Sequence, residues 1–398
     1  MGETLVHVAI IFFVGALVFS NVLDNSFIGD DEIQIVENPL IHSLSWENIA
    51  ILFKGSTFSS FGAPKSHHGV YYKPFMSLSY MLLWAIDGAN PFYYHFFQVL
   101  LYIINASLLY FILCYFFNKS ESLLLALVFL VNPMTSEVAR YIADYQDVLY
   151  FFFGSLSFLW LTYYSSRVRS SIFYPVLCFL LLSSLLSKES GILFFAIIFY
   201  YTILYQPKKT IPVVFSLVVL LSLYFYLRFE IAGIGILGPG IFTPIGNASF
   251  LQRLVCIPSI WYYYLINFIF GQNLAINQNW VVGSLSLEKF WLPVLVVITF
   301  AWFFKKWLKH SVHRGMYFFM GWFLSGLLFH SQLFPLDVTV ANRWFYFPAV
   351  GLIALFFIGI KDAPKPPRRR IINATFFLVF VCYSGARTVV RNQDWQRD

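Results

Sequence analysis

The chain alternates between long apolar runs and short polar connections along its whole length. Most of these runs are long enough to cross the hydrocarbon core of a bilayer, which takes about 20 helical residues. The pattern therefore predicts an all-α polytopic membrane protein with about eleven transmembrane helices. The predicted spans are 5–22, 92–117, 121–136, 146–164, 172–187, 189–206, 211–229, 291–308, 316–333, 344–360 and 371–387.

One further apolar segment, 256–270, decides the predicted topology. Basic residues collect in the connections "SSRVRS", "QPKK", "KKWLKHSVHR" and "KDAPKPPRRR", and such clusters favour the cytoplasmic side. All of them lie on one side only if 256–270 does not cross, so we predict a re-entrant or interfacial segment there. The N-terminus is then cytoplasmic, and both the acids at 30–32 and the tail "RNQDWQRD" are extracytoplasmic.

The composition agrees with a membrane protein and excludes other classes. Of 398 residues, 59% are hydrophobic, 21% are aromatic and 11% are charged, and the mean hydropathy is +0.71. The net charge of +7 lies in clusters between spans, so it indicates a lipid bilayer as partner and no nucleic acid. The four cysteines lie in apolar segments without CxxC spacing, which favours buried thiols over a disulfide or zinc site.

Most of the polar sequence lies on the predicted extracytoplasmic side. The first loop, 23–75, is too long for a plain turn. Its segments "LSWENIAILF" and "KPFMSLSYMLLWAI" each combine an apolar face with Trp and polar positions, which predicts two amphipathic helices at the membrane surface. Residues 230–255 and 271–290 are predicted to form further outward loops.

The first loop carries the acids Asp30, Asp31 and Glu32 in direct succession. Adjacent like charges repel, so an ordered group of this kind needs a cation or a functional reason. The alternative is that each is a solvated loop residue, which is the ordinary state of a surface charge. The pair His67 and His68 is weak support for a metal site.

Two other groups of charged residues are predicted to face the same side. A spacing of three, four and three predicts a shared helical face for Glu137, Arg140, Asp144 and Asp147. Lys188 and Glu189 separate two apolar runs with almost no connecting loop, and charges at such a break usually face a cavity.

Six segments in succession carry a resemblance to a known family. They are "DDEIQIVENPL", "YYKPFMSLSYMLLWAIDGANPFYYHFFQVLLYIINA", "ALVFLVNPMTSEVARYIADYQDVL", "LLSKESGILF", "LFPLDVTVANRWFYFPAVG" and "RNQDW". Together they cover nearly the whole chain. They resemble the membrane module of the O-mannosyltransferases that carry tetratricopeptide repeats, the TMTC type, which belong to the GT-C glycosyltransferases.

The chain departs from this family's pattern at three places. Tyr72-Lys73-Pro74 replaces Tyr-Arg-Pro, Asn342-Arg343 replaces Glu-Arg, and Tyr145-Gln146 replaces a basic pair before Asp147. Lysine keeps the charge of arginine but loses its bidentate geometry.

The resemblance implies a single GT-C-like transmembrane domain over residues 1–398, with no repeat domain. It implies transfer of mannose or another hexose from a polyprenyl-phosphate-linked sugar to a hydroxyl on an exported protein or glycan. No cofactor is firmly implied, and a divalent metal is an alternative that we do not prefer. The absence of a repeat tail favours a bacterial inner membrane over the endoplasmic reticulum, with the active site extracytoplasmic.

The implied site residues fall into three groups, because the transfer needs a base, cations for the leaving phosphate and residues around them. The implied catalytic residues are Asp30 and Asp31, in either order. The implied donor and phosphate ligands are Arg343, Lys188, Lys73 and Arg140. Residues expected to bind the acceptor or support the site are Glu32, Glu137, Tyr72, His95, Asp147 and Glu189.

Two other function classes remain open at this point. A transporter or flippase of lipid-linked sugars would also need intramembrane charges, but it predicts repeated halves with broken helices in matching positions. We find no such repeat in the sequence. A non-catalytic membrane scaffold is the third possibility, and the acidic pair argues only weakly against it.

Overall fold

The computed structural model describes residues 2–58, 71–235, 243–310, 314–362 and 368–395. Helices make up most of these ranges. Short 3₁₀ and π-helical turns join the α-helices, and the only β pairing in these ranges is an isolated bridge between Gln278 and Val340. The predicted all-α fold is confirmed. The helices are α1 Gly2–Phe19, α2 Trp46–Lys54, α3 Pro74–Asp87, α4 Pro91–Leu113, α5 Lys119–Val131, α6 Tyr145–Tyr164, α7 Ser170–Ser187, α8 Ile192–Tyr205, α9 Thr210–Tyr226, α10 Phe250–Phe270, α11 Leu292–His310, α12 Arg314–Phe329, α13 Tyr346–Asp362 and α14 Arg368–Gln393.

The chain divides into two compact units, and the sequence pattern does not mark the division. The first unit comprises Met1–Leu123, Val138–Gly240 and Val389–Asp398. The second comprises Leu124–Glu137 and Ile241–Thr388. Each unit thus contains segments that are far apart in the sequence.

In the first unit, α1 packs closely on α4. Gly15 allows this approach, because a Cβ added there would come 2.6 Å from Cγ1 of Ile103. His7 Nδ1 in α1 lies 3.1 Å from the Tyr110 hydroxyl in α4, which satisfies a buried polar pair. The packing of α1 fixes the start of the loop that carries the three acids.

In the second unit, α12 and α13 pack through a glycine contact. A Cβ on Gly351 would come 2.5 Å from the backbone nitrogen of Phe323, so a larger residue would force the helices apart. The Trp322 indole N–H donates to the Phe347 carbonyl at 3.0 Å. This bond satisfies a polar group within a buried aromatic cluster.

The two helices predicted within the first loop both form. "LSWENIAILF" corresponds to α2, which Ser45 caps by accepting from the Asn48 amide at 3.1 Å. "KPFMSLSYMLLWAI" corresponds to α3, which starts at Pro74 and buries one face that includes Tyr80. Their position at the membrane surface stays a prediction.

Seven helices in the described residues are long and apolar enough to cross a membrane. Six of them coincide with predicted spans, at Gly2–Val22, Pro91–Leu113, Ser170–Ser187, Pro207–Ile231, Leu287–Lys306 and Asn342–Lys361. The seventh is Phe250–Phe270. The chain is therefore a polytopic membrane protein, and the predicted count of about eleven spans is not confirmed.

The segment 256–270, predicted to be re-entrant or interfacial, belongs to one continuous helix, α10. A capping box between Ser249 and Gln252 starts the helix, and Gly271, with a φ of +58°, ends it after 21 residues. At about 1.5 Å per residue, that length matches the hydrocarbon core of a bilayer.

We predict that α10 crosses the membrane. Single cysteines at the exposed positions Asn247 and Gln272 should react with an impermeant maleimide from opposite faces of sealed vesicles. The exposed native thiol Cys382 should first be replaced by serine. Labelling of both positions from the same face would show that α10 lies in the interface instead.

Candidate active site

The three adjacent acids that follow α1 have different environments. Gly29, with a φ of +55°, turns the chain, and a π-helical turn begins at Glu32. Asp30 and Glu32 are exposed, whereas Asp31 is only 1% exposed. The group therefore consists of two accessible carboxylates on either side of a buried one.

Two backbone amides hold the Asp31 carboxylate. The Ala143 N–H donates to Oδ1 at 2.6 Å, and the Ile28 N–H donates to Oδ2 at 3.2 Å. Burial raises the pKa of Asp31 to about 8; these two bonds oppose the increase, and the charges of Asp30 and Glu32 add to it. Asp31 therefore keeps its proton to a higher pH than an ordinary carboxyl group does.

The Tyr141 hydroxyl lies among three carboxyl groups. It accepts a hydrogen bond from the Asp30 amide at 3.2 Å, and the Tyr141 ring packs 5.4 Å from the ring of Trp395. Burial raises the pKa of Tyr141, and the charges of Asp30, Asp31 and Asp144 raise it further. The phenol thus stays protonated, and it places the "RNQDW" segment next to the acids.

The prediction of one helical face for residues 137–147 is wrong. Glu137 lies in a 3₁₀ helix at Thr135–Ala139, Asp144 ends a second short 3₁₀ helix, and Asp147 lies in the first turn of α6. The Gln98 amide donates to two backbone carbonyls of this stretch, each at 2.6 Å. Such bonds replace those of a continuous helix, so spacing alone misplaces the side chains.

Arg140, a predicted phosphate ligand, is buried and connects two chain segments. Its Nη1 donates to Oδ1 of Asn392 at 3.3 Å, and its exposure is 1%. Asn392 in turn donates to the Val18 carbonyl and to Oδ1 of Asn21, both at 2.8 Å. The network joins the "RNQDW" segment to the end of α1, which favours a structural role.

Lys188 lies at the break between α7 and α8, as the sequence suggested, but its charge is compensated. Its Nζ lies 2.7 Å from both carboxylate oxygens of Asp147, and both side chains are buried. A buried ion pair of this kind is costly to break, since either partner alone would be an uncompensated charge. The pair ties α6 to the end of α7.

A second charged group joins three segments of the first unit. Arg228 Nη1 donates to Oε1 of Glu189 at 2.6 Å, and the positive charge of Lys73 also acts on this carboxylate. The Tyr72 amide donates to the same oxygen at 3.4 Å. Arg228 was not among the predicted site residues, although a single basic residue within the apolar run 211–229 indicates a functional position. Two cations and one carboxylate give the group a net positive charge.

Arg343, another predicted phosphate ligand, belongs to the second unit; the other predicted ligands belong to the first. Its Nη1 donates to the Ile276 carbonyl at 3.3 Å. The neighbouring Asn342 donates to Glu137 and accepts from the Tyr263 hydroxyl, both at 2.6 Å. Glu137 thus supports the "NRWFY" segment of its own unit.

The remaining predicted residues differ in burial and in hydrogen bonding. His95 is buried within α4, and the Tyr72 hydroxyl donates to the Phe53 carbonyl at 3.0 Å. His67 and His68 lie outside the described residues. In the part of the chain that is described, no group of three or more His, Cys, Asp or Glu is arranged to hold a metal ion.

Comparison with known proteins supports the resemblance on which these residues were chosen. No family model matches the chain. Protein O-mannosyl-transferase TMTC3 of Mus musculus is 22% identical over 98% of the chain and 46% of its own length. The mouse transferase TMTC4 is 24% identical over 98% of the chain and 60% of its own length. Mouse TMTC1 is 30% identical over 48% of the chain and 21% of its own length.

The chain resembles the TMTC-type protein O-mannosyl-transferases along nearly its whole length. The resemblance inferred from the six sequence segments is thus confirmed. The chain spans about half the length of the first two mouse relatives, 46% of TMTC3 and 60% of TMTC4.

We predict that Asp31 makes the protein less stable as the pH rises from about 4 to about 8. A carboxyl whose pKa is raised on folding binds more protons in the native state than in the unfolded state, so stability is lost through this window. Thermal unfolding in detergent should show a smaller decrease for Asp31→Asn, because an amide does not titrate.

Glu47→Gln is the matched control, since it removes an exposed acid of α2 that does not act on Asp31. This variant should keep the wild-type pH dependence. Asn also offers one acceptor oxygen where Asp31 has two, so a constant loss of about 1–3 kcal/mol is expected on top of the changed slope. An unchanged slope in Asp31→Asn would contradict the assignment of this titration to Asp31.

Proposed function

We propose that this protein is a glycosyltransferase of the GT-C type. It moves mannose or another hexose from a polyprenyl-phosphate carrier to a hydroxyl of an exported protein. The observation that carries the proposal is the accessible Asp30 carboxylate next to the buried and fixed Asp31, within a segment shared with the TMTC-type relatives.

Asp30 is the better candidate for the base. The base must come within hydrogen-bonding distance of the acceptor hydroxyl, and Asp30 is exposed whereas both oxygens of Asp31 are engaged by backbone amides. Asp31 is then a positioning residue. In its protonated form it adds no negative charge next to Asp30, while its hydrogen bonds fix the backbone of the loop.

In the proposed reaction the acceptor oxygen attacks C1 of the sugar. The O–C1 bond forms as the bond from C1 to the phosphate oxygen breaks, and the phosphate leaves with the bonding electrons. Asp30 takes the hydroxyl proton. The leaving phosphate gains negative charge, so a group with a net positive charge contributes to turnover as well as to donor binding.

The group of Lys73, Glu189 and Arg228 is the preferred phosphate site within the first unit. Its net charge is positive, and Tyr72-Lys73-Pro74 corresponds to a motif of the resembling family. Lys188 is less suitable because Asp147 already compensates it. Arg140 is enclosed next to Asn392, and Arg343 remains a separate candidate in the second unit.

The face of the membrane follows from the same chemistry. A flipped polyprenyl-linked sugar and an exported acceptor meet on the extracytoplasmic side, in a bacterial inner membrane as in the endoplasmic reticulum. The loop 23–75 is proposed to lie on that side. A transporter or flippase of lipid-linked sugars would move the donor without forming a new glycosidic bond, so a transfer assay separates the two functions.

We predict that Asp30→Asn lowers sugar transfer by about 10²–10⁴, the usual effect of losing a general base. The assay uses the purified protein in nanodiscs with a panel of polyprenyl-phosphate sugars and a serine- or threonine-containing peptide. Stability should not change, because Asp30 is exposed. Glu47→Gln, which removes an exposed acid of α2 outside the predicted site, should keep near-full activity.

Two outcomes would contradict this account. Near-full transfer by Asp30→Asn would rule out Asp30 as the base. Carriage of the lipid-linked sugar across a vesicle membrane, with no transfer by the wild type to any acceptor in the panel, would favour the transporter.

A further inference from the structure

The second unit contains a cavity of about 450 Å³ that plays no part in the proposed reaction. This volume lies within the range of about 300–1,000 Å³ that is usual for small-molecule sites. Its lining combines apolar side chains with three aromatic and three amide residues, which are Tyr262, Tyr263, Trp280, Asn267, Asn273 and Gln278.

One wall of the cavity is a single face of α10. Ser259, Tyr262, Tyr263, Ile266 and Asn267 line it, at the spacing of neighbours along a helix. A hydroxyl, phenols and an amide on one face of an apolar helix are typical of a side turned away from lipid. The composition of this face therefore fits a polar ligand in the cavity.

The opposite wall is an extended segment that other residues hold in place. The Gln278 amide donates to the Val340 carbonyl at 3.0 Å. The Trp280 amide donates to the Thr339 hydroxyl at 2.9 Å, and this hydroxyl donates back to the Trp280 carbonyl at 2.7 Å. The cavity is thus formed without a ligand, which limits the entropy lost on binding.

The charges around the cavity cancel. Glu288 and Lys289, at the start of the next helical segment, contribute one charge of each sign. A cavity with no net charge offers no fixed attraction for a phosphate or a carboxylate. Its lining therefore favours a neutral ligand.

Several polar groups remain available for such a ligand. Within the described part of the chain, the Tyr262 hydroxyl and the side-chain amide of Asn273 make no hydrogen bond to the protein. The Gln278 side chain uses only its Oε1, which accepts from the Trp280 indole N–H at 3.0 Å. Hydroxyl and amide groups can both donate and accept. They match a ligand with many hydroxyls, while the rings of Tyr262 and Trp280 suit an apolar C–H face.

We propose that this cavity binds a neutral hexopyranose unit. A pyranose combines hydroxyl groups around its edge with an apolar face of C–H bonds, and the lining supplies partners for both. The site does not depend on the proposed glycosyl transfer, because binding needs neither Asp30 nor a lipid donor. It is connected to the "NRWFY" segment through the bond between Tyr263 and Asn342.

The test is a titration of the purified full-length chain in nanodiscs with methyl α-D-mannopyranoside, followed by saturation-transfer NMR. The wild type should bind saturably. Tyr262→Ala should weaken binding by about tenfold or more, as for a central aromatic contact. Asn273→Ala should weaken binding by a smaller factor, and it should not disturb folding because Asn273 is exposed.

Trp46→Ala is the matched control, because Trp46 is an aromatic residue of the first unit that is 86% exposed. It should bind as the wild type does. A second titration with mannose 1-phosphate distinguishes a neutral glycan from the headgroup of a donor. The neutral lining predicts that the phosphate adds no affinity.

Three results would overturn the proposal. The first is that the wild type shows no saturable binding. The second is that Tyr262→Ala and Asn273→Ala bind as tightly as the wild type. The third is that mannose 1-phosphate binds more than about tenfold tighter than the methyl glycoside. Because no donor lipid is present, a failure here leaves the proposed transfer reaction untouched. Loss of transfer in Asp30→Asn likewise says nothing about the cavity.

Discussion

The hydrogen bond from the Ala143 amide to the buried Asp31 carboxylate, at 2.6 Å, is the contact on which the candidate site depends. It joins the loop after α1 to the irregular stretch before α6. Both segments contain only short helical turns, the π-helical turn Glu32–Val36 in one and two 3₁₀ helices in the other, and this bond connects them. Asp31 is buried, whereas Asp30 and Glu32 are exposed. In the proposed reaction, Asp31 thus provides the geometry and Asp30 acts as the base.

Charged residues at the break between α7 and α8 enter two groups. Lys188 is bound by Asp147, whereas Glu189 is shared between Arg228 and Lys73. Successive residues at one helix break therefore enter different groups, one neutral and one with a net positive charge. This distinction decides which of the basic residues suits a phosphate, because a cation already paired with a carboxylate contributes little further attraction.

Much of the fold was predictable from hydropathy, since the apolar runs are long and bounded by clear polar signals. The site was predictable only to the level of segments. The spacing of the charged residues predicted one helix for 137–147, but two backbone carbonyls of this stretch accept hydrogen bonds from the distant side chain of Gln98. The exposure of Asp30 and the burial of Asp31 depend on Ala143, which is 112 residues further along the chain. For α10, the capping box between Ser249 and Gln252 starts the helix before the apolar run 256–270.

The central claim is that Asp31 fixes the loop that presents Asp30. Hydrogen–deuterium exchange of the Ala143 amide tests it most directly, because this N–H is the donor to Asp31. In Asp31→Ala the amide should exchange faster by about tenfold or more, whereas Glu32→Ala should leave its exchange rate unchanged. Equal protection of Ala143 in the wild type and in Asp31→Ala would contradict the account.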